Sequence, residues 1–279
     1  MAYKSILTIV TGPDLGAEAL DTALGVTNAQ GAHLDVMCLG VDRVQVGFYH
    51  AGANAVLMQE TLAQAQADAE EALTAVKARL TAETVPWSAD SVALQTAAMP
   101  HVIGRRARFC DLVVLPKPYG PARSIDHEAM AEAALFDSNT PVVFTPAGSD
   151  FTAMPKRVVV GWNQSAEALR AIRAALPMLQ QADQVSVAII DPPRHGPDRS
   201  DPGGLLAQML GRHGVRAEIS VLAKTLPRVS DVLLRHAGDF DADMIVMGAY
   251  GHSRFREAIL GGVTRDMLGE AEVPVLMAH

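Results

Sequence analysis

An internal duplication constrains this chain more than any other feature of its 279 residues. Lys4 leads into the aliphatic run Ile6–Val10, and Lys156 leads into Val158–Val160 with a turn at Gly161 and Trp162. Each run is followed by the same tetrad, Ala17-Glu18-Ala19-Leu20 and Ala166-Glu167-Ala168-Leu169. Cys110-Asp111 opens another aliphatic run, Leu112–Leu115, and Ala242-Asp243 opens its counterpart, Met244–Met247. Thr140-Pro141 and Val273-Pro274 then precede closing runs, Val142–Phe144 and Val275–Met277. Four landmarks in one order read as two copies of one module, residues 1–148 and 155–279, joined across the turn-rich stretch Pro146–Pro155.

Each copy reads as strands alternating with helices, β-α-β-α-β-α-β-α-β. In the second copy, strands are expected at Arg157–Gly161, Gln184–Ile190, Ala217–Leu222, Met244–Gly248 and Val273–Met277. Helices are expected between them, from Ala166 to Leu179, Gly204 to Gly211, Val229 to Ala237 and Thr264 to Gly269. The first copy has a longer connection after its second strand, then a helix of strong helix formers from Val56 to Leu80. Aromatic residues are only 5% of the chain while aliphatic ones abound, which suits parallel strands covered on both faces. The expectation is an α/β chain with two tandem, open, parallel five-stranded sheets flanked by helices, their crossovers right-handed.

A net charge of −8 argues against duplex nucleic acid as a partner, because little here replaces phosphate counterions. No apolar run is long enough to span a membrane. The N-terminal residues pass directly into a strand-like run, so no signal peptide is expected and the cytoplasm is the expected location. Cys38 and Cys110 stand far apart beside aliphatic segments and read as reduced core thiols.

The stretch carrying chemistry runs from Gly248 to Thr264. It starts where an aliphatic strand ends, and open parallel sheets bind ligands beyond the carboxyl ends of their strands. Glycines there let the backbone approach a ligand. Free amides at Gly262, Val263 and Thr264, at the start of a helix, would face an anion with the favourable end of the dipole.

The spacing of Gly248, Gly251 and Gly261, with two and then nine residues between, resembles the loop of ATP-binding universal stress proteins. That resemblance implies a Rossmann-like five-stranded parallel sheet and an adenine nucleotide, with or without magnesium, whose phosphates rest on the final glycine pair. Carried over, Gly248, Gly251, Gly261, Gly262, Val263 and Thr264 correspond to phosphate and ribose contacts. Asn163 stands where the family usually has Asp, and Ile189 matches an aliphatic adenine contact. Trp162, Met247 and Tyr250 complete the candidate set at the strand ends. Gly262 replaces the family's Ser or Thr, removing a hydroxyl that would bond phosphate. A hydrogen bond to a charged group is worth about 1.5–3 kcal/mol. The first copy lacks the loop, because prolines follow Leu115 and remove amide donors.

Other polar residues read as structural. Asp126-His127-Glu128 is expected to form a solvated helix face. Asp111 and Asp243 precede equivalent strands and suggest duplicated turn or capping roles. Ser165 and Ser253 have no evident base, His252 reads as a solvent-facing loop residue, and the scattered histidines do not suggest a metal site. With no P-loop lysine, any ATP hydrolysis is expected to be slow. The sequence thus points to a nucleotide-binding regulator that forms a homodimer. An interaction module without nucleotide is the alternative. A related adenylating or electron-transfer enzyme is disfavoured, since no Ser-Gly-Gly-x-Asp-Ser loop is present.

Overall fold

The computed structural model describes residues 2–12, 17–43, 51–120, 123–149, 154–192, 201–249 and 262–279, with the backbone alone for 51–57. Packing divides the chain into two compact units, residues 3–140 and 141–279.

The first unit contains β1 (Ser5–Val10), α1 (Ala17–Gln30), β2 (His33–Asp42), α2 (Ala51–Leu80), β3 (Trp87–Gln95), α3 (Met99–Ala107), β4 (Leu112–Pro116) and α4 (Ile125–Glu132). Its strands lie in the order β3-β2-β1-β4, and the three neighbouring pairs are parallel. Ile6, Leu7, Leu112 and Val113 are fully buried, as strands covered on both faces require. Helix α2 packs closely on β2 at Gly40, where a Cβ would stand 1.7 Å from the Ala65 carbonyl oxygen.

The second unit holds β5 (Val142–Thr145), β6 (Arg157–Gly161), α5 (Ala166–Leu179), β7 (Gln184–Ile190), α6 (Gly204–Arg212), β8 (Ala217–Leu222), α7 (Val229–Asp239), β9 (Met244–Gly248), α8 (Val263–Glu270) and β10 (Val275–Ala278). Its order is β5-β10-β9-β6-β7-β8. All pairs are parallel except β5 with β10, which run antiparallel with Val275 opposite Phe144 and Met277 opposite Val142. The α/β expectation holds, with mostly parallel strands flanked by helices. The closing strand of the first sequence repeat, β5, packs with the second unit.

The duplicated aspartates do the same job in each unit. Asp111 Oδ2 accepts from the backbone amides of Lys4 (2.7 Å) and Ser5 (3.1 Å), fixing the chain as it enters β1. Asp243 accepts from the amides of Lys156 (2.8 Å) and Arg157 (3.1 Å) at the entry to β6. These charge-assisted bonds are stronger than neutral ones and account for both residues without catalysis. Both cysteines are free thiols. Burial pushes the Cys38 thiol up to about 11, which keeps it protonated.

Candidate functional site

In the second unit, the chain runs from β6 outward through β7 to β8, then returns to place β9 on the other side of β6. That reversal makes the carboxyl ends of β6 and β9 a topological switch point, where open α/β sheets form their crevice. Gly161 pairs with Met247 on one side and Ala188 on the other. The strand register therefore brings Trp162, Ile189, Met247 and Gly248 to one end of one sheet.

Each of these residues has a defined local role. The Trp162 amide donates to the Ala188 carbonyl (3.0 Å), and its indole Nε1 donates to the Pro202 carbonyl (3.2 Å). Asn163 is exposed, and its Oδ1 accepts from the Ser165 amide (3.1 Å). Ser165 in turn caps α5 by accepting from the Ala168 amide (3.1 Å), so its hydroxyl serves a helix terminus. Ile189 and Met247 are buried. A Cβ on Gly248 would stand 2.4 Å from the Ala168 amide nitrogen, so glycine here lets β9 pass under the first turn of α5.

Gly262 is the N-cap of α8, in a positive-φ conformation (φ 75°, ψ −148°) that disfavours side chains. It makes no side-chain cap, being glycine, and Val263 and Thr264 form the first turn behind it. The backbone conformation is an independent reason for glycine where the resembling family has Ser or Thr. Thr264 is buried. Tyr250, Gly251 and Gly261, with His252 and Ser253, lie outside the described residues. Among the described residues, no group of three His, Cys, Asp or Glu is placed to hold a metal ion.

Sequence reasoning missed the segment ahead of α6. The Pro202 carbonyl accepts from Trp162 Nε1 and from Gln164 Nε2 (3.4 Å). A Cβ on Gly203 would come within 3.1 Å of Ile189 Cδ1. This segment therefore packs against the end of β6 and the side chain of Ile189. Its signal is the run Pro202-Gly203-Gly204, which reads as a helix start but hides a close approach.

The corresponding end of the first unit differs in charge. Helix α4 begins after Ser124, and Asp126 stands two positions into it, as Thr264 does in α8. Asp126 is 2% exposed and accepts from Arg43 Nε at 2.7 Å. His127 is also buried, with Nδ1 accepting from the Ser124 amide (3.1 Å). Burial and the charge of Arg123 hold the His127 imidazole below its ordinary value, outweighing Asp126. The expectation of a solvated Asp126-His127 face is thus corrected. The first turn of α4 folds in beside the residue that follows β2 instead of facing water.

Residues 154–279 match the model of the universal stress protein family. A universal stress protein of Synechocystis sp. is 30% identical over 73 residues, covering 26% of this chain and 24% of its own length. The matched stretch is therefore about a quarter of that relative. Among solved structures, a universal stress protein from Archaeoglobus fulgidus superposes with a TM-score of 0.71 at 18% identity, over 98% of this chain and 95% of its own. A putative universal stress protein from Pseudomonas aeruginosa gives 0.61 at 17% identity, over 99% and 93%. At these identities the superpositions establish the fold, while the family match is to the second half. Residues 154–279 of this chain are thus similar to the universal stress protein family.

Proposed function

We propose that this chain is a cytoplasmic stress-response regulator that binds one adenine nucleotide, with ATP the first candidate, at the carboxyl ends of β6 and β9. Occupancy would bias its contacts with partners, and two chains would associate as a homodimer. The observation carrying this reading is the contrast between two equivalent helix starts. Helix α8 opens on Gly262 with Thr264 at its second position, and its first-turn carboxylate, Asp266, is engaged by Ser230 (2.9 Å) and Arg228 (3.4 Å), so the dipole end at Gly262 would face an anion. Helix α4 has the Asp126 carboxylate at that second position, paired with Arg43, so a carboxylate of the protein already takes the place of an anion there. The fit to a nucleotide is best at the phosphate end. There Gly262 and Val263 would present backbone amides, at the same strand-end side of the sheet as Ile189 and Met247.

Calorimetric titration with ATP tests the proposal. One saturable site per chain is expected, lost in Thr264→Asp, which copies the first unit's charge, and unchanged in Asp126→Thr. Circular dichroism and the unfolding midpoint would check that each variant folds. Binding that survives Thr264→Asp, or two sites per chain, would overturn the assignment.

A second reading, an interaction module without nucleotide, is favoured by one specific observation. The Trp162 indole and the Asn163 amide oxygen are already engaged by Pro202 and Ser165, and Gly248 packs on α5. An absence of binding up to millimolar ATP would favour that reading.

A further inference from the structure

The two units handle one place in the fold in opposite ways. By strand register, Asp35 on β2 corresponds to Ser186 on β7, and Asp90 on β3 to Ser220 on β8. Ser5, opening β1, likewise corresponds to Arg157, opening β6. In the second unit this place is filled. Ser186 Oγ lies 3.0 Å from Ser220 Oγ and 2.8 Å from His236 Nε2. The Phe240 ring stacks on His236 with centroids 6.2 Å apart. The Arg157 guanidinium lies 4.6 Å from the centre of that same ring and donates through Nε to the Phe240 carbonyl (2.7 Å).

In the first unit the long arginine is replaced by Ser5, and the aromatic after the helix, Phe109, is 84% exposed. Between α3 and the β2–β3 face an open cavity of about 560 Å³ remains. That volume lies in the range of small-molecule sites. Met37, Val92 and Val102 give it apolar lining.

Its charges are unevenly committed. Arg106 donates to both oxygens of Asp35 (2.9 and 2.6 Å) and also pairs with Asp90 (2.5 Å), so both carboxylates are held by one guanidinium. Asp35 takes a further bond from Ser88 (3.0 Å). Arg105 and His101 also line the cavity. They are exposed, and among the described residues neither side chain has an ion pair or hydrogen bond. The geometry points to a second binding site, in the first unit, for a small amphiphilic anion: an apolar body against Val92, Val102 and Phe109, with its carboxylate or sulfonate at Arg105 and His101. A cationic amphiphile is disfavoured because the carboxylates are already paired, whereas an anion meets an uncommitted guanidinium. This site is independent of the nucleotide reading.

Fluorescence titration of the full chain with anilinonaphthalene sulfonate provides the test. One saturable site per chain is expected, displaced by decanoate but not by decyltrimethylammonium or ATP. Arg105→Glu, an exposed substitution, should weaken it roughly tenfold to a hundredfold, the worth of a bond to a charged group. Val92→Trp should fill the cavity and abolish binding, with circular dichroism confirming the fold. Equal binding in wild type and Arg105→Glu, displacement by ATP, or equal displacement by the cationic amphiphile would each overturn the proposal. So would an absence of saturable binding.

Discussion

At the scale of single residues, the glycines separate into different physical roles that one letter in a sequence cannot distinguish. Gly248 reads in sequence as a place for a ligand to approach, yet its nearest neighbours are backbone atoms of α5. Gly248→Ala should therefore destabilise the protein by about 1–3 kcal/mol, the usual cost of overpacking, measured by urea unfolding. Gly238, in the last turn of α7, would meet nothing within 4 Å if it carried a Cβ, and its φ is not positive. Gly238→Ala should then be neutral or stabilising by up to about 1 kcal/mol, through the entropy of the unfolded chain. Equal effects of the two substitutions would remove the packing argument. Gly262 belongs to a third class, in which backbone conformation and not a neighbour selects the residue.

At the scale of elements, α7 is coupled to β7 through a histidine whose charge state matters. Burial holds the His236 imidazole below its ordinary 6.5, overriding a small opposing influence of Asp239. The folded state thus favours the neutral ring, and the unfolded chain takes up a proton first. Stability is fully present above the unfolded value and falls as pH drops through 6.5 toward the folded one. Urea midpoints measured from about pH 7.5 to about pH 5.5 should decline in wild type and decline less in His236→Gln. His127, shifted in the same direction, leaves a remainder. An identical slope in the variant would show that His236 does not couple to folding. The elements themselves are legible in sequence, because aliphatic runs and capping residues are local signals. The four strands β6 to β9 begin and end where periodicity places them. What is not legible depends on distance. Nothing near Asp126 announces that it meets Arg43, 83 positions earlier, and nothing near Trp162 announces Pro202. The site is legible as a glycine spacing and a strand end, but the internal bonds already made by Trp162 and Asn163 are not.

At the scale of the whole molecule, the duplication is clear in sequence, while the partition of its strands is not. Residues 141–279 include β5, whose Val142–Phe144 pair antiparallel with β10. A fragment of residues 154–279 alone would leave that side of β10 unpaired, and an open strand edge recruits another chain. Sedimentation should show it self-associating as concentration rises, and urea unfolding should show it less stable than a fragment of residues 141–279, which keeps β5 on β10. A monomeric shorter fragment of equal stability would show that β5 contributes nothing to its unit. The same strand also sets an order of events during synthesis. β5 leaves the ribosome before any other strand of its unit, and its partner β10 is the last. At roughly 5–20 residues per second, the chain carries β5 for several seconds before its partner exists. For that interval the edge of β5 that β10 will cover stays open, which makes the late stage of translation the moment at which a chaperone would matter most to it.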